Sequence, residues 1–292
     1  MTSVFATSDP AASAPQLLSP AGVLILDGAD AVAFAHAQFT SNVNELAVGA
    51  WQWSSWLDAQ GRARCFFALL RTDATRLLAW LPLGDAAGMR AALARFVFRS
   101  KVALEAPSDW ALHALPPSDL PGSMAARGFA AYRAGYALAL PGPANRIAWI
   151  AVSADAAIDA EALTRWRTQD IAARLPLLTT ESSGEFVPQA LDLERLDAIR
   201  FDKGCYPGQE VAARLHFRGG NKRHLLRLAI DGAAPAPGTP IIADGTHTAG
   251  HVLYSTSLSA TASEALAVVA DANADSKNLA TASGNSVRVI IE

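Results

Sequence analysis

Lys203-Gly204-Cys205-Tyr206-Pro207-Gly208-Gln209-Glu210 reads KGCYPGQE and follows Asp202. No other stretch of the chain places so many chemically demanding residues in so few positions. A thiol stands between a cation and an aromatic ring, and an amide and a carboxylate follow at once. Pro207-Gly208 suits the two central positions of a type II turn, whose second residue needs a positive φ. Gly204 lets the backbone approach a neighbour closely just before the thiol. A neighbouring cation favours the thiolate form, so Cys205 is the candidate reactive thiol and Lys203 its candidate activator. A lone free cysteine reads as a small buried hydrophobe. The whole segment demands more than a surface turn with an incidental sulfur.

Working outward, Gln209 to about Leu215 is expected to form one or two helical turns after the Pro-Gly bend. Glu210 then sits at a helix N-terminus, where the dipole favours a carboxylate. Upstream, Asp192 is expected to cap a short helix that buries Leu193, Leu196 and Ile199. Downstream, Arg214, Arg218, Lys222, Arg223, His224 and Arg227 make a locally basic run. It reads either as a solvated face or as a site for an acidic partner. From Leu225 the pattern changes to short alternating strands: 225–230, 239–243, 248–254, 265–270 and 287–291. Asp244-Gly245 is a hairpin turn signal. A small antiparallel β-barrel is expected over 222–292.

The N-terminal part reads as a tail over 1–17 and a domain over 18–221. Val23-Leu24-Ile25-Leu26 predicts a strand that ends at Asp27-Gly28, with Asp30 capping the helix beyond. Trp51 to Trp56 and Ala63 to Leu70 flank a hairpin turn at Leu57–Arg62. Leu77 to Leu83 adds a strand, and a helix follows from Asp85 to about Arg99. Phe98 to Val102 leads back into the sheet. A second pass has Trp110 to Leu115, a hairpin of Tyr132–Leu140 and Arg146–Val152, and a helix capped by Asp155 that runs to about Asp170. Strand, hairpin and helix thus occur twice, and the expected class is α+β.

The bulk properties exclude several functions. The chain has 292 residues, 51% hydrophobic and 17% charged, enough for a sizeable core. A net charge of −3 gives no global pull toward nucleic acid. Cys65 and Cys205 are far apart and show neither disulfide nor zinc spacing, which suits a reducing compartment. No apolar run reaches membrane-spanning length and no signal peptide is evident, so the expected location is the cytoplasm. P-loop, HExxH, GxSxG and dinucleotide fingerprints are absent from the sequence, and the six histidines lack ligand spacing, so no metal site is expected.

KGCYPGQE resembles the KGCYxGQE signature of the YgfZ-type folate-binding proteins. This is an iron–sulfur cluster assembly and repair family related in fold to the glycine-cleavage aminomethyltransferase. The likeness extends through Ser183–Gln189, Leu191–Phe201, Val211–Arg214 and Phe217–Arg223. Weaker echoes are Gly28, Asp30, Phe34, Gln38 and Thr40, then Asp58, Gly61 and Arg62, then Phe98 to Val102. Asn42 stands where the family usually has an acid. Ile171-Ala172-Ala173-Arg174-Leu175-Pro176 replaces the family's I-E-A-G-x-P. Arg174 is expected to reshape a pocket wall or to meet the glutamate tail of a folate.

The resemblance implies a folate-binding aminomethyltransferase-like domain with a C-terminal barrel, and tetrahydrofolate or a derivative as cofactor. It implies that Trp166 stacks on the pteridine, a flat ring that an indole face can cover. Tyr206, Gln189, Gln209, Glu210 and Arg214 are expected to complete the ligand site, although the helix dipole is a second sufficient reason for Glu210. The implied role is accessory rather than plainly catalytic. It lies in iron–sulfur cluster maintenance or assembly, and through that in tRNA thio-modification. Iron–sulfur client or assembly proteins are the expected partners, without stable nucleic-acid binding and without a membrane. Two alternatives stand beside it. A one-carbon transferase needs an acid near the reactive folate nitrogen, and Asn42 and Ala172 supply none. An RNA-binding module would use the basic run of 214–227.

Overall fold

The computed structural model describes residues 15–119, 127–140, 142, 146–153, 157–276 and 278–290. Most of the expected tail, and Asp155, lie outside them. The chain opens with strands β1 (Gln16–Pro20) and β2 (Gly22–Asp27), then helix α1 (Ala31–Gln38). Strands β3 (Trp51–Leu57), β4 (Ala63–Asp73) and β5 (Arg76–Leu81) follow, with helix α2 (Ala86–Leu93) and strand β6 (Ala103–Glu105). Next come β7 (Trp110–Leu115), β8 (Phe129–Tyr132), β9 (Gly135–Leu140), β10 (Arg146–Val152) and helix α3 (Ala160–Ala172). A 3₁₀ turn over Pro188–Leu191 and helix α4 (Gln209–Arg218) lead to six last strands. These are β11 (Arg223–Asp231), β12 (Pro240–Ala243), β13 (His247–Ser259), β14 (Ala262–Ala270), β15 (Leu279–Thr281) and β16 (Ser286–Val289).

Two antiparallel sheets share one plan. The first has the order β3-β4-β5-β2-β6 and the second β8-β9-β10-β7-β1. Each is a three-strand meander, a preceding strand beside its last member, and a short edge strand. The edge of the second sheet is closed by β1, from the start of the chain, through pairs such as Gln16 with Ala114. Duplication is therefore visible in strand order, and one exchanged edge strand ties the halves together. The barrel closes in the order β11-β14-β13-β12-β15-β16.

Side-chain alternation along β2 and β4 sorts the core into layers, because successive residues of a strand face opposite sides. Val23 and Ile25 join Phe66, Ala68 and Leu70 against the second sheet. Leu24 and Leu26 join Phe67 and Leu69 under α1 and α2. The first sheet is buried on both faces for this reason. The barrel has its own interior of Leu228, Ile230, Ile241, Val252 and Val287. Asp244 and Gly245 both have positive φ, 49° and 67°, as the central pair of a type I′ turn requires, within the three-residue link between Ala243 and His247.

Several expectations are corrected. Asp30 precedes α1 but makes no side-chain cap; its Oδ2 accepts from the Lys101 amide at 2.6 Å, tying the entry to β6 onto α1. Helix α2 ends at Leu93 and only a 3₁₀ turn continues it to Phe96. Asp159, whose carboxylate accepts from the Ala162 amide, is the N-cap of α3. Asp192 closes a 3₁₀ turn in the left-handed conformation and starts no helix, although Leu193, Leu196 and Ile199 are buried as expected. Strand β1 begins at Gln16, inside the stretch read as tail. Among the described residues no helix is long and apolar enough to cross a membrane.

Candidate functional site

The KGCYPGQE segment forms the expected turn. Gly208 has φ 75° and ψ 0°, the values of the third residue of a type II turn. The Gln209 amide donates to the Tyr206 carbonyl at 3.2 Å and closes it. The Gln209 carboxamide oxygen accepts from the Tyr206 amide at 3.3 Å, a second lock on the same four residues. Glycine is required at 208 for another reason as well. A Cβ there would stand 2.3 Å from the Asp58 carbonyl oxygen and 2.7 Å from the Gly61 Cα. The β3–β4 hairpin turn, with Gly61 at φ 75°, is thus the seat on which the signature turn rests.

Lys203 is oriented away from the role expected of it. Its ammonium donates to the carbonyls of His36, Phe39 and Ser41 at 2.5, 2.6 and 3.0 Å. These acceptors lie at the C-terminal end of α1 and just beyond, where carbonyls lack helical partners and the dipole favours a cation. An ammonium has three N–H donors, so all are engaged and none remains for a thiolate. The Nζ also lies 4.9 Å from the centre of the Tyr206 ring. Burial pushes the Lys203 amine down to about 8, and the carbonyls act against that shift. Lys203 is a clamp between α1 and the turn.

Tyr206 is buried, and its hydroxyl donates to the Arg200 carbonyl at 3.0 Å. Burial first, then the Glu194 carboxylate, pushes its phenol up. Thr40 completes the cradle: its hydroxyl donates to the Ala198 carbonyl at 2.6 Å, and its carbonyl accepts from the Arg200 amide at 2.9 Å. Gln189 bridges to α4 through the Ala212 carbonyl at 3.0 Å. Cys205, held between these anchors, is exposed. The other thiol, Cys65, is buried, and burial pushes it up to about 12.

The remaining expected residues part company. Glu210 and Arg214 are exposed on α4. Trp166 is buried on α3, in the same continuous core as Tyr206 and Ala212. The Arg146 guanidinium lies 4.8 Å from the centre of its ring. Arg146 Nη1 pairs with Asp170 at 2.6 Å, and Arg167 meets the same carboxylate at 3.0 Å. The Nε and Nη2 of Arg146 nevertheless have no partner, and neither do Trp51 Nε1, Trp53 Nε1 or Gln189 Oε1. Buried polar groups are normally satisfied. Of these atoms, those of Arg146 belong to the guanidinium that lies over the Trp166 ring.

Arg174 has a structural part of its own. It has φ 51°, a left-handed conformation that glycine adopts without penalty. Its Nη2 reaches the Asp192 carboxylate at 2.5 Å and the Leu225 carbonyl at 3.0 Å. The guanidinium therefore fastens the end of α3 to the barrel through its Nη2.

No protein-family model matches the chain. It is 53% identical over 64 residues to the tRNA-modifying protein YgfZ of Serratia proteamaculans strain 568, covering 22% of this chain and 19% of that protein. The corresponding proteins of Yersinia enterocolitica and Cronobacter sakazakii match at 41% over 99 residues and 46% over 81. These two matches take in 32% and 27% of this chain, and 30% and 25% of theirs. The chain resembles the YgfZ proteins. The matched stretches span less than a third of those relatives' length. Among solved structures, the glycine cleavage system aminomethyltransferase T of Bartonella henselae superposes with a TM-score of 0.69 at 14% identity, over 95% of this chain and 85% of that one. The YgfZ-like chain therefore has the aminomethyltransferase fold with a C-terminal barrel.

The YgfZ-like signature does its structural work through residues that sequence reading left in the background. His36, Phe39 and Ser41 contribute only carbonyls, which leave no mark on side-chain identity. Thr40 was visible as part of the weak echo. Among the described residues no group of three or more His, Cys, Asp or Glu is placed to hold a metal ion.

Proposed function

We propose that the protein is a folate-binding accessory factor that acts in iron–sulfur cluster maintenance or assembly, and so in tRNA thio-modification. The observation that carries the reading is the Cys205 thiol, exposed on a turn that Lys203 and Tyr206 anchor on either side of it. A thiol presented on a rigid bend meets a partner without an ordering cost at the moment of contact. One thiolate cannot hold a cluster, which usually takes four. The cluster or sulfur carried by a client is thus the substrate, met in passing, and partner proteins supply the remaining ligands.

Trp166, the unpaired donors of Arg146 and the amide oxygen of Gln189 are the residues that would hold the folate. A bound tetrahydrofolate would accept a one-carbon unit on its reduced ring, and a one-carbon derivative would supply one. The chain's own part is to enclose that ring in the core and to keep Cys205 outside it in solvent. Two measurements test the reading. Tetrahydrofolate quenches tryptophan fluorescence and Trp166→Phe weakens the quenching; unchanged quenching removes Trp166 from the site. Cys205→Ala folds and binds folate as before but does not rescue a strain defective in iron–sulfur enzymes. Full rescue by that variant would reduce the thiol to scaffolding.

A further inference from the structure

The surface beyond the signature turn has no part in that reading. A cavity of about 360 Å³ opens beside α4 and is lined by Phe201, His216, Phe217 and Ile199, with the carboxylates of Glu194 and Asp202. Its aromatic members form one group. Phe201 stacks on His216 with centroids 4.4 Å apart, and Phe217 meets His216 edge to face at 4.7 Å. His216 is oriented by Glu194 at 2.9 Å. The Phe217 side chain is 75% exposed, an unusual place for a phenyl ring that nothing covers.

The neighbouring basic run divides in two. His224 pairs with Asp271 at 3.3 Å, and Arg227 grips Glu264 with two nitrogens. Arg214, Arg218, Lys222 and Arg223 are exposed, and among the described residues no acid pairs with them. Arg214 and Arg218 are one helical turn apart and flank Phe217. Residues 209–223 hold these four cations against one acid, Glu210. The net charge of −3 is an average over the chain and hides this strip.

We infer that this surface binds single-stranded RNA. One base enters the cavity and stacks on Phe217, while the phosphates on either side meet Arg214, Arg218, Lys222 and Arg223. Aromatic stacking joined to a cationic track is the chemistry by which single strands are held without a sequence code. An acidic peptide would satisfy the cations and leave the aromatic cavity bare, and a lipid surface does not enter a concave site. The choice of RNA over DNA rests on the reading proposed above. The rest of the argument stands on these residues alone.

Fluorescence anisotropy with a labelled RNA 12-mer tests it on the full chain. With four phosphates neutralised, affinity falls about 50-fold between 50 and 200 mM salt, from a slope of about 0.7 per phosphate on single strands. Phe217→Ala weakens binding about tenfold or more and leaves the salt slope unchanged; Phe217→Tyr retains affinity. Arg214→Ala with Arg218→Ala lowers the slope by about half. No binding at 50 mM salt, or full affinity in Phe217→Ala, overturns the site. The same sequence as DNA should bind comparably, because these contacts read bases and phosphates and not the 2′-hydroxyl; no binding of DNA would overturn the stacking-and-phosphate account. Equal competition by a duplex or by a polyglutamate peptide overturns the single-strand assignment. Cys205→Ala is expected to keep full RNA affinity while losing iron–sulfur rescue, so failure of this site and failure of the functional reading appear in different variants.

Discussion

Replacing Lys203 by Met removes the ammonium and keeps most of the side-chain volume. Three charge-assisted hydrogen bonds are lost, at 2.5, 2.6 and 3.0 Å. At about 1.5 kcal/mol each, the lower end for bonds to a charged group, the gross loss is ~4.5 kcal/mol. Burial of the cation opposes this. A fall from 10.5 to about 8 corresponds to ~3.4 kcal/mol, and because solvent still reaches the side chain ~2 kcal/mol is the usable figure. The variant is therefore expected to be about 2–3 kcal/mol less stable at pH 7. The difference also depends on pH. Because the folded-state value is depressed, the unfolded chain binds this proton more tightly between pH 8 and 10.5. Wild-type stability should thus rise relative to Lys203→Met across that window, by up to ~2 kcal/mol. Urea denaturation followed by tryptophan fluorescence at pH 7, 8, 9.5 and 10.5 measures both quantities. Alkylation of Cys205 by iodoacetamide should change less than about twofold in the folded variant. Equal stability at pH 7 would refute the clamp, and a large fall in alkylation rate would return Lys203 to the role of thiol activator.

Other perturbations have equally definite outcomes. Gly208→Ala places a Cβ 2.3 Å from the Asp58 carbonyl oxygen in backbone, at a φ that side chains resist, and should destabilise by about 2 kcal/mol or more; a melting temperature unchanged in calorimetry would contradict the packing of the two turns. Arg174→Ala loses the links to Asp192 and Leu225 and keeps the left-handed backbone, whereas Arg174→Gly loses the same links and relieves the strain. The glycine variant should be about 1 kcal/mol the more stable of the two; the reverse order in chemical denaturation would show that the conformation carries no strain. A thiol-reactive chromophore should titrate one thiol per native chain, Cys205, and two in denaturant, because Cys65 is buried and pushed up to about 12; two fast thiols in the native protein would contradict the burial.

Much of the fold was legible because strands packed on both faces show as short, continuous apolar runs bounded by turn residues. Val23 to Leu26, Trp51 to Trp56 and Ala63 to Leu70 all became strands of one sheet. What was not legible involves short or distant pairing. Strand β15 has three residues, too few to show a period. Strand β1 is stabilised by partners nearly a hundred positions away, such as Ala114, and no local pattern announces that. Asp192 misled because aspartate tolerates the left-handed conformation as readily as it caps a helix; the choice between them is made by its ion pair with Arg174.

The site divides along the same physical line. Pro207-Gly208 encodes a turn in its own backbone preferences, so the bend could be read directly. The destination of the Lys203 side chain could not, because its acceptors are carbonyls more than 160 positions earlier. Proximity in sequence suggested Cys205 as its partner, and geometry gave it the end of α1. The consequence is an asymmetry within the signature. Lys203, Tyr206, Gly208 and Gln209 hold the bend, so changes at these positions should register first as lost stability. Cys205 is exposed, and no hydrogen bond of the bend depends on its sulfur, so its replacement should register in function while the fold stands. A signature built this way is mostly scaffold around one presented atom. Its demanding residue types reflect how tightly a backbone must be gripped to keep a single side chain in solvent at a fixed place.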